Sequence, residues 1–133
     1  MTVQTLDHVN IATDRVVDTS DFYCDMLGLK ATLPSDKVKP EDAQWLLDGE
    51  GRAVVHLARP DLIRMAGHEV DTPGGSGSIH HVAFSCDGYD EMLASLDARG
   101  LVERTNAIEA MDLRQIFVRD PNGILVELNF LGT

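Results

Sequence analysis

The segment LDHVNIAT, residues 6–13, decides how the chain is organised, because it returns as IHHVAFSC at residues 79–86. In this overlay His8 falls on His81, an offset of 73 residues (8 to 81). The segment QWLLDGEGRAVVHL, residues 44–57, overlays QIFVRDPNGILVEL, residues 115–128, and places His56 on Glu127 at an offset of 71 (56 to 127). An internal repeat of this length indicates two copies of one supersecondary unit.

Each copy carries one helix between its two repeated segments. DRVVDTSDFYCDMLGL has apolar residues near helical spacing and reaches Gly28, and GYDEMLASLDARGL repeats this pattern and reaches Gly100. A glycine after the last apolar position of a helix is a typical helix end. The short strand patterns LKATLP and LVERTNAI follow the two helices. The sequence therefore predicts the order β-α-β-β-β twice.

Alternation along the predicted strands separates a continuous apolar face from a mixed face, which carries His8, His56, His81 and Glu127. A single histidine in an apolar strand is more often a hydrogen-bonded core residue than a ligand. Four such residues at equivalent positions of a repeat instead favour one common site. Two imidazoles and a carboxylate form the triad that binds non-haem iron, and a fourth protein ligand suits zinc, nickel, cobalt or manganese.

We therefore expect an α+β fold in which two βαβββ modules form a curled eight-stranded mixed sheet around a metal cleft, with the helices outside. The expected domain organisation is a single domain over residues 1–133. Module one covers residues 1–60, a linker rich in Gly, Ser and Pro covers 61–77, and module two covers 78–133.

The composition argues against several classes of protein. The chain has 22 acidic and 11 basic residues, a formal net charge of −11, and no basic run, which disfavours a nucleic-acid partner. No apolar run is long enough to span a membrane and the N-terminus has no secretory pattern, so we expect a cytoplasmic protein with no membrane partner. Cys24 and Cys86 are expected to be small buried side chains and not a disulfide framework.

Four segments, LDHVNIAT, DFYCDMLGL, IHHVAFSC and FVRDPNGILVELNF, resemble the vicinal oxygen chelate superfamily, which includes glyoxalase I, methylmalonyl-CoA epimerase, type I extradiol dioxygenases and bleomycin-resistance proteins. The resemblance implies that His8, His81 and Glu127 bind a divalent metal ion (Fe, Ni, Zn, Co or Mn). In the glyoxalase and epimerase branches it also implies a fourth metal ligand at position 56, commonly Glu or Gln, so the expected ligand set is His8, His56, His81 and Glu127. His56 departs from that pattern, which disfavours glutathione-dependent glyoxalase chemistry.

The resemblance implies a metal-dependent lyase or isomerase that acts on a small α-hydroxycarbonyl or acyl substrate, with Glu127 and His56 as candidate bases. One alternative is an Fe(II) extradiol ring-cleaving dioxygenase, in which His56 is an acid or base beside the metal instead of a ligand. Another is a non-catalytic, resistance-type protein that binds a small molecule. We also expect a homodimer, in which the two modules of one chain pair with each other or exchange between chains.

Several other residues near the predicted site have two interpretations. His80 is the minor alternative to His81, because alternation places it on the opposite face of the strand. Trp45 either lines the cleft or packs outside it. Arg114 and Arg119 are either surface charges or anchors for a substrate carboxylate or phosphate.

Overall fold

A computed structural model of the protein describes residues 1–70 and 75–132, which fall into two compact units, Met1–Pro73 and Gly74–Thr133. The first unit contains one mixed four-stranded sheet in the order β1-β4-β3-β2, in which β1 is parallel to β4 and the other pairs are antiparallel. Its elements are β1 (Val9–Ala12), α1 (Val16–Asp21) with a directly following π-helical turn (Phe22–Met26), β2 (Lys30–Thr32), β3 (Ala43–Leu47), β4 (Ala53–Ala58) and α2 (Pro60–Met65).

The second unit repeats this sheet in the order β5-β8-β7-β6, again with its first strand parallel to its last. Its elements are β5 (Val82–Cys86), α3 (Tyr89–Asp97), β6 (Val102–Ile108), a 3-10 turn (Glu109–Met111), β7 (Leu113–Arg119) and β8 (Leu125–Leu131). The predicted α+β fold of two βαβββ modules is thus confirmed, with the eight strands hydrogen-bonded as one four-stranded sheet in each module. Among the residues that the structure describes, no helix is both long and apolar enough to cross a membrane.

Two boundaries differ from the sequence interpretation. The strands begin at Val9 and Val82, so that His8 and His81 each lie one residue before a strand instead of within it. The predicted linker over 61–77 begins with the helix α2, since Pro60 occupies the first turn and its fixed φ suits that position. Residues 71–74 of that linker lie outside the described residues.

Apolar side chains on one face of each sheet form the core of that unit, as alternation predicts. In the first unit, Val55 and Leu57 of β4 are buried, whereas His56 between them is only half-buried. In the second unit the core includes six fully buried side chains, one from α3 and five from the sheet: Leu96, Ile116, Val118, Val126, Leu128 and Phe130. Burial of apolar surface is the main stabilising contribution within each unit.

The register of the parallel strands confirms the equivalence of His56 and Glu127. His56 lies opposite Asn10 of β1, and Glu127 lies opposite Ala83 of β5. Asn10 and Ala83 are the residues two positions after His8 and His81. The strand register therefore relates His8 to His56 in the first module in the same way as it relates His81 to Glu127 in the second.

The hairpin turns show where the sequence overlay fails. Asp48 Oδ1 accepts hydrogen bonds from the backbone N–H groups two and four residues later, each at 2.9 Å. Asp120 Oδ1 accepts the same two bonds at 2.8 and 2.9 Å. Gly51 and Gly123, three residues after each aspartate, both have positive φ, 81° and 82°. The two turns therefore correspond at an offset of 72 (48 to 120) and not 71.

A bulge in β4 accounts for the difference of one residue. Leu46 lies opposite Val55 and Leu47 opposite Ala53, which leaves Val54 as an additional residue in β4. The overlay of 44–57 on 115–128 is therefore wrong by one position before the turn. Its last residues, including His56 on Glu127, are correctly paired.

Loss of the buried Asp120 side chain is expected to destabilise the second unit. In Asp120→Ala, two backbone N–H groups at a nearly buried turn lose their acceptor, which should cost about 2 kcal/mol of unfolding free energy. Thermal unfolding followed by circular dichroism measures this as a Tm lower by several degrees. Asp48→Ala, at the more exposed turn, serves as the matched comparison and should lower the Tm less; an equal or larger drop there would contradict the account.

Candidate metal centre

The first unit stacks three aromatic rings on the mixed face of its sheet. The imidazoles of His8 and His56 are 3.7 Å apart between centroids with planes 11° from parallel. The indole of Trp45 stacks on His56 at 4.5 Å and 14°. Trp45 faces His56 because the two residues are directly opposite in the β3–β4 pairing. The contact with His56 therefore favours the interpretation in which Trp45 lies beside the candidate site over the one in which it packs outside it.

Asp7 determines which nitrogen of His8 carries the proton. Its Oδ1 lies 2.6 Å from His8 Nδ1, and this hydrogen bond lowers the pKa of the Asp7 carboxyl. An ionised carboxylate can only accept, so Nδ1 of His8 is the donor, and in the neutral imidazole Nε2 then has the lone pair. A carboxylate on the far nitrogen is the usual support of a metal-binding histidine.

In the second unit His81 contacts Glu127 directly. His81 Nε2 lies 3.1 Å from Glu127 Oε2, and Glu127 is 9% exposed. The other carboxylate oxygen, Oε1, accepts a hydrogen bond of 2.7 Å from Gln115 Nε2. Both oxygens of this buried carboxylate therefore have a partner, as a buried charge requires.

Gln115 is held in turn by two asparagines. Its Nε2 also donates to Asn129 Oδ1 at 2.9 Å, and its Oε1 accepts from Asn106 Nδ2 at 2.9 Å. The three amides lie opposite one another on β6, β7 and β8. This row fixes the orientation of the Glu127 carboxylate.

The sequence does not identify Gln115 as a site residue, because the overlay pairs it with Gln44. Gln44 lies on the core face, where it accepts from Ser20 Oγ at 2.6 Å and donates to the Pro40 carbonyl at 2.9 Å. The signal that could have found Gln115 is its alternation with Phe117, which lies opposite Glu127.

His80 takes in the second unit the place that Asp7 takes in the first. Its Nδ1 lies 2.9 Å from His81 Nδ1, with the two rings nearly perpendicular at 87°. Since one of these two nitrogens must donate, the tautomers of the pair are coupled. His80 is therefore a hydrogen-bonding partner of His81, as Asp7 is of His8.

Parallel ring planes limit how His8 and His56 can share a metal ion. A histidine nitrogen binds a metal along its lone pair, which lies in the plane of the ring. For two stacked and nearly parallel rings, an ion in the plane of His8 lies well outside the plane of His56. A site that used both nitrogens would require one ring to turn. Within either unit, the described residues contain no group of three His, Cys, Asp or Glu side chains arranged to hold a metal.

The two arginines considered as substrate anchors already have partners. The Arg114 guanidinium lies 3.8 Å from the Tyr89 ring centroid and 3.8 Å from Asp90 Oδ1. Arg119 donates to Glu103 Oε2 and to the carbonyl of Gly123, each at 3.1 Å. These contacts favour the surface-charge interpretation of both.

The neutral form of His56 is expected to persist to a lower pH than in an ordinary histidine. Burial lowers the pKa of His56 below 6.5, and a charge on the neighbouring His8 acts in the same direction. An unfolded chain would bind this proton at higher pH, so His56 lowers stability as the pH falls through 6.5. An NMR titration of the metal-free protein should give a His56 midpoint below 6.5. Trp45→Ala should raise it and Trp45→Phe should not; a wild-type midpoint at or above 6.5 would contradict the burial.

Comparisons with known proteins agree with this architecture. The chain matches the family model described as Glyoxalase/Bleomycin resistance protein/Dioxygenase superfamily over residues 5–128. It is 31% identical over 127 residues to the uncharacterised protein YqjC of Bacillus subtilis (strain 168), covering 92% of this chain and 89% of that protein.

Two solved structures illustrate the shared fold. A lactoylglutathione lyase from Agrobacterium tumefaciens superposes with a TM-score of 0.71 at 19% identity, covering 98% of this chain and 96% of that one. A glyoxalase/dioxygenase from Nostoc punctiforme gives a TM-score of 0.69 at 15% identity, covering 98% and 92%. At such low identities these similarities describe the fold alone.

Proposed function

Because the chain belongs to the glyoxalase/bleomycin resistance protein/dioxygenase superfamily, we propose that it is a metal-dependent lyase or isomerase of small substrates with adjacent oxygens, such as an α-hydroxycarbonyl or acyl compound. The observation that carries this proposal is the stack of His8 and His56, which leaves one imidazole to bind a metal and the other to move a proton. Members of the superfamily include both lyases and dioxygenases.

We assign His8, His81 and Glu127 as the ligands of a divalent metal ion. Nε2 of His8 has its lone pair because Asp7 holds Nδ1, and Glu127 is a buried carboxylate whose Oε1 is already fixed by Gln115. Two imidazoles and one carboxylate are a donor set that Fe, Ni, Zn, Co and Mn all accept. A bound metal would act as a Lewis acid that stabilises negative charge on the substrate oxygens.

His56 is assigned the proton-transfer step. The stack holds its ring between His8 and Trp45, so its orientation is set before substrate binds. As a neutral imidazole beside a metal ligand it can accept a proton from the substrate carbon and return it at a neighbouring position. Glu127 is the second candidate base: its Oε2, the oxygen not held by Gln115, would then take the proton instead of binding the metal.

A second candidate function, the Fe(II) extradiol dioxygenase, is favoured by the same ring geometry. With His56 outside the ligand set, three ligands remain, and two His with one carboxylate are the set that non-haem iron enzymes use. Iron content and oxygen-dependent loss of activity separate this function from a lyase or isomerase. A protein that binds its small molecule without turnover in either assay would belong to the non-catalytic class.

Metal affinity measured on single variants tests the ligand assignment. His8→Ala, His81→Ala and Glu127→Ala should each weaken zinc binding, followed by competition with a chromogenic chelator, by more than about 100-fold, since even loss of a supporting contact costs 10–100-fold. His56→Ala should stay within about tenfold of wild type. A loss with His56→Ala as large as with His8→Ala would make His56 a fourth ligand.

The proton-transfer role of His56 predicts a split between kinetic constants. On a substrate found among 2-oxoaldehydes and acyl thioesters, His56→Ala should lower kcat by about 100-fold or more and change KM little. Trp45→Phe, which keeps an aromatic ring against His56, is the matched control and should retain most of the activity. Equal kcat values for His56→Ala and wild type would remove His56 from the mechanism.

We also propose that the protein is a homodimer. The sheet orders place β1 and β2 at the edges of the first sheet and β5 and β6 at the edges of the second. Edge strands present backbone groups that another chain can cover. Light scattering after size exclusion should give twice the chain mass of 14.6 kDa, and a monomer mass at every protein concentration would contradict it.

A further inference from the structure

The side chain of Arg104 belongs to the same cross-strand row of the second sheet as Glu127. Arg104 of β6 is opposite Phe117 of β7, and Phe117 is opposite Glu127 of β8. The Arg104 guanidinium lies over the Phe117 ring, 4.4 Å from its centroid. Because neighbouring strands are about 4.8 Å apart, the Cα atoms of Arg104 and Glu127 are separated by about 10 Å.

Arg104 differs from its neighbours in how its charge is compensated. Arg119 is paired with Glu103, and Arg114 lies near Asp90 and Tyr89. For Arg104, the contacts within residues 1–70 and 75–132 include no acidic partner at salt-bridge distance, although the chain has twice as many acids as bases. Its exposed guanidinium therefore keeps N–H donors that can bind an incoming acceptor.

The contact with Phe117 prepares Arg104 for binding a planar anion. A guanidinium over an aromatic face is held by cation–π attraction, so less side-chain freedom is lost when it binds. Its fork of N–H groups matches the two oxygens of a carboxylate. A single positive charge in this row suits a monoanion better than a phosphate dianion.

We propose that Arg104 anchors a carboxylate of the substrate, at the end remote from the adjacent oxygens that Glu127 and the metal would receive. This inference rests on the proposed function and narrows its substrate class to small carboxylic acids. Arg104 sets specificity through binding, because it lies two strands away from the carboxylate of Glu127.

A matched pair of probes isolates the effect of the carboxylate. Catechol offers adjacent oxygens alone, and 3,4-dihydroxybenzoate adds one carboxylate to the same ring. Calorimetric titration of the zinc-loaded full chain should show 3,4-dihydroxybenzoate binding about tenfold tighter than catechol, the effect expected of one charge-assisted hydrogen-bonded contact. Arg104→Gln should abolish this preference and leave the Kd of catechol unchanged.

Two further variants separate the anchor from a general charge effect. Arg99→Gln removes the same charge from an exposed position just after α3, and should keep the full preference. Arg104→Lys keeps the charge without the planar fork and should keep only part of it. Circular dichroism spectra that match the wild-type spectrum establish that each variant folds.

The outcomes also distinguish this inference from the proposed function. An unchanged preference in Arg104→Gln, or an equal loss in Arg99→Gln, would overturn the anchor while leaving the metal site intact. Inorganic phosphate and acetate serve as competitors. If phosphate removes the preference for 3,4-dihydroxybenzoate over catechol at concentrations where acetate has no effect, the carboxylate assignment is overturned. If neither probe binds the zinc-loaded wild type, the anchor fails, whereas the proposed function fails only if the protein does not bind zinc itself.

Discussion

The buried carboxylate of Glu127 is the constraint on which the candidate site depends. A charge that is 9% exposed is tolerated only with hydrogen-bonding partners, and Gln115 and His81 supply one to each oxygen. Gln115 is in turn fixed by Asn106 and Asn129. Strand register places these amides in one row, so the fold itself orients the carboxylate before any metal or substrate binds. Arrangement in advance is what makes such a group effective in binding and catalysis.

The repeat and the period of two predicted the topology and the equivalence of His56 with Glu127, because both depend on patterns that recur in the sequence. The pattern could not reveal the bulge at Val54, since one additional residue in a strand leaves no compositional signature. For the same reason the overlay pairs Gln44 with Gln115, although their side chains lie on opposite faces of their sheets. A shift of one residue moves every side chain to the other face.

The two modules use their equivalent positions in different ways. In the second module Glu127 is tied to its sheet by hydrogen bonds, whereas in the first module His56 is held by ring stacking between His8 and Trp45. Contacts such as Trp45 with His56 depend on hairpin register, which sequence alone does not fix. Two equivalent positions that are held so differently can serve different roles, and we propose metal binding for Glu127 and proton transfer for His56.

The most direct test of this account is the number of histidines bound to the metal. Proton NMR of the cobalt(II)-loaded protein shows strongly shifted, exchangeable imidazole N–H signals, one for each bound histidine. We expect two such signals, and His56→Ala should leave both in place. Three signals, or the loss of one in His56→Ala, would make His56 a ligand and remove its role as a free base. No shifted signals and no cobalt bound would contradict the metal site itself.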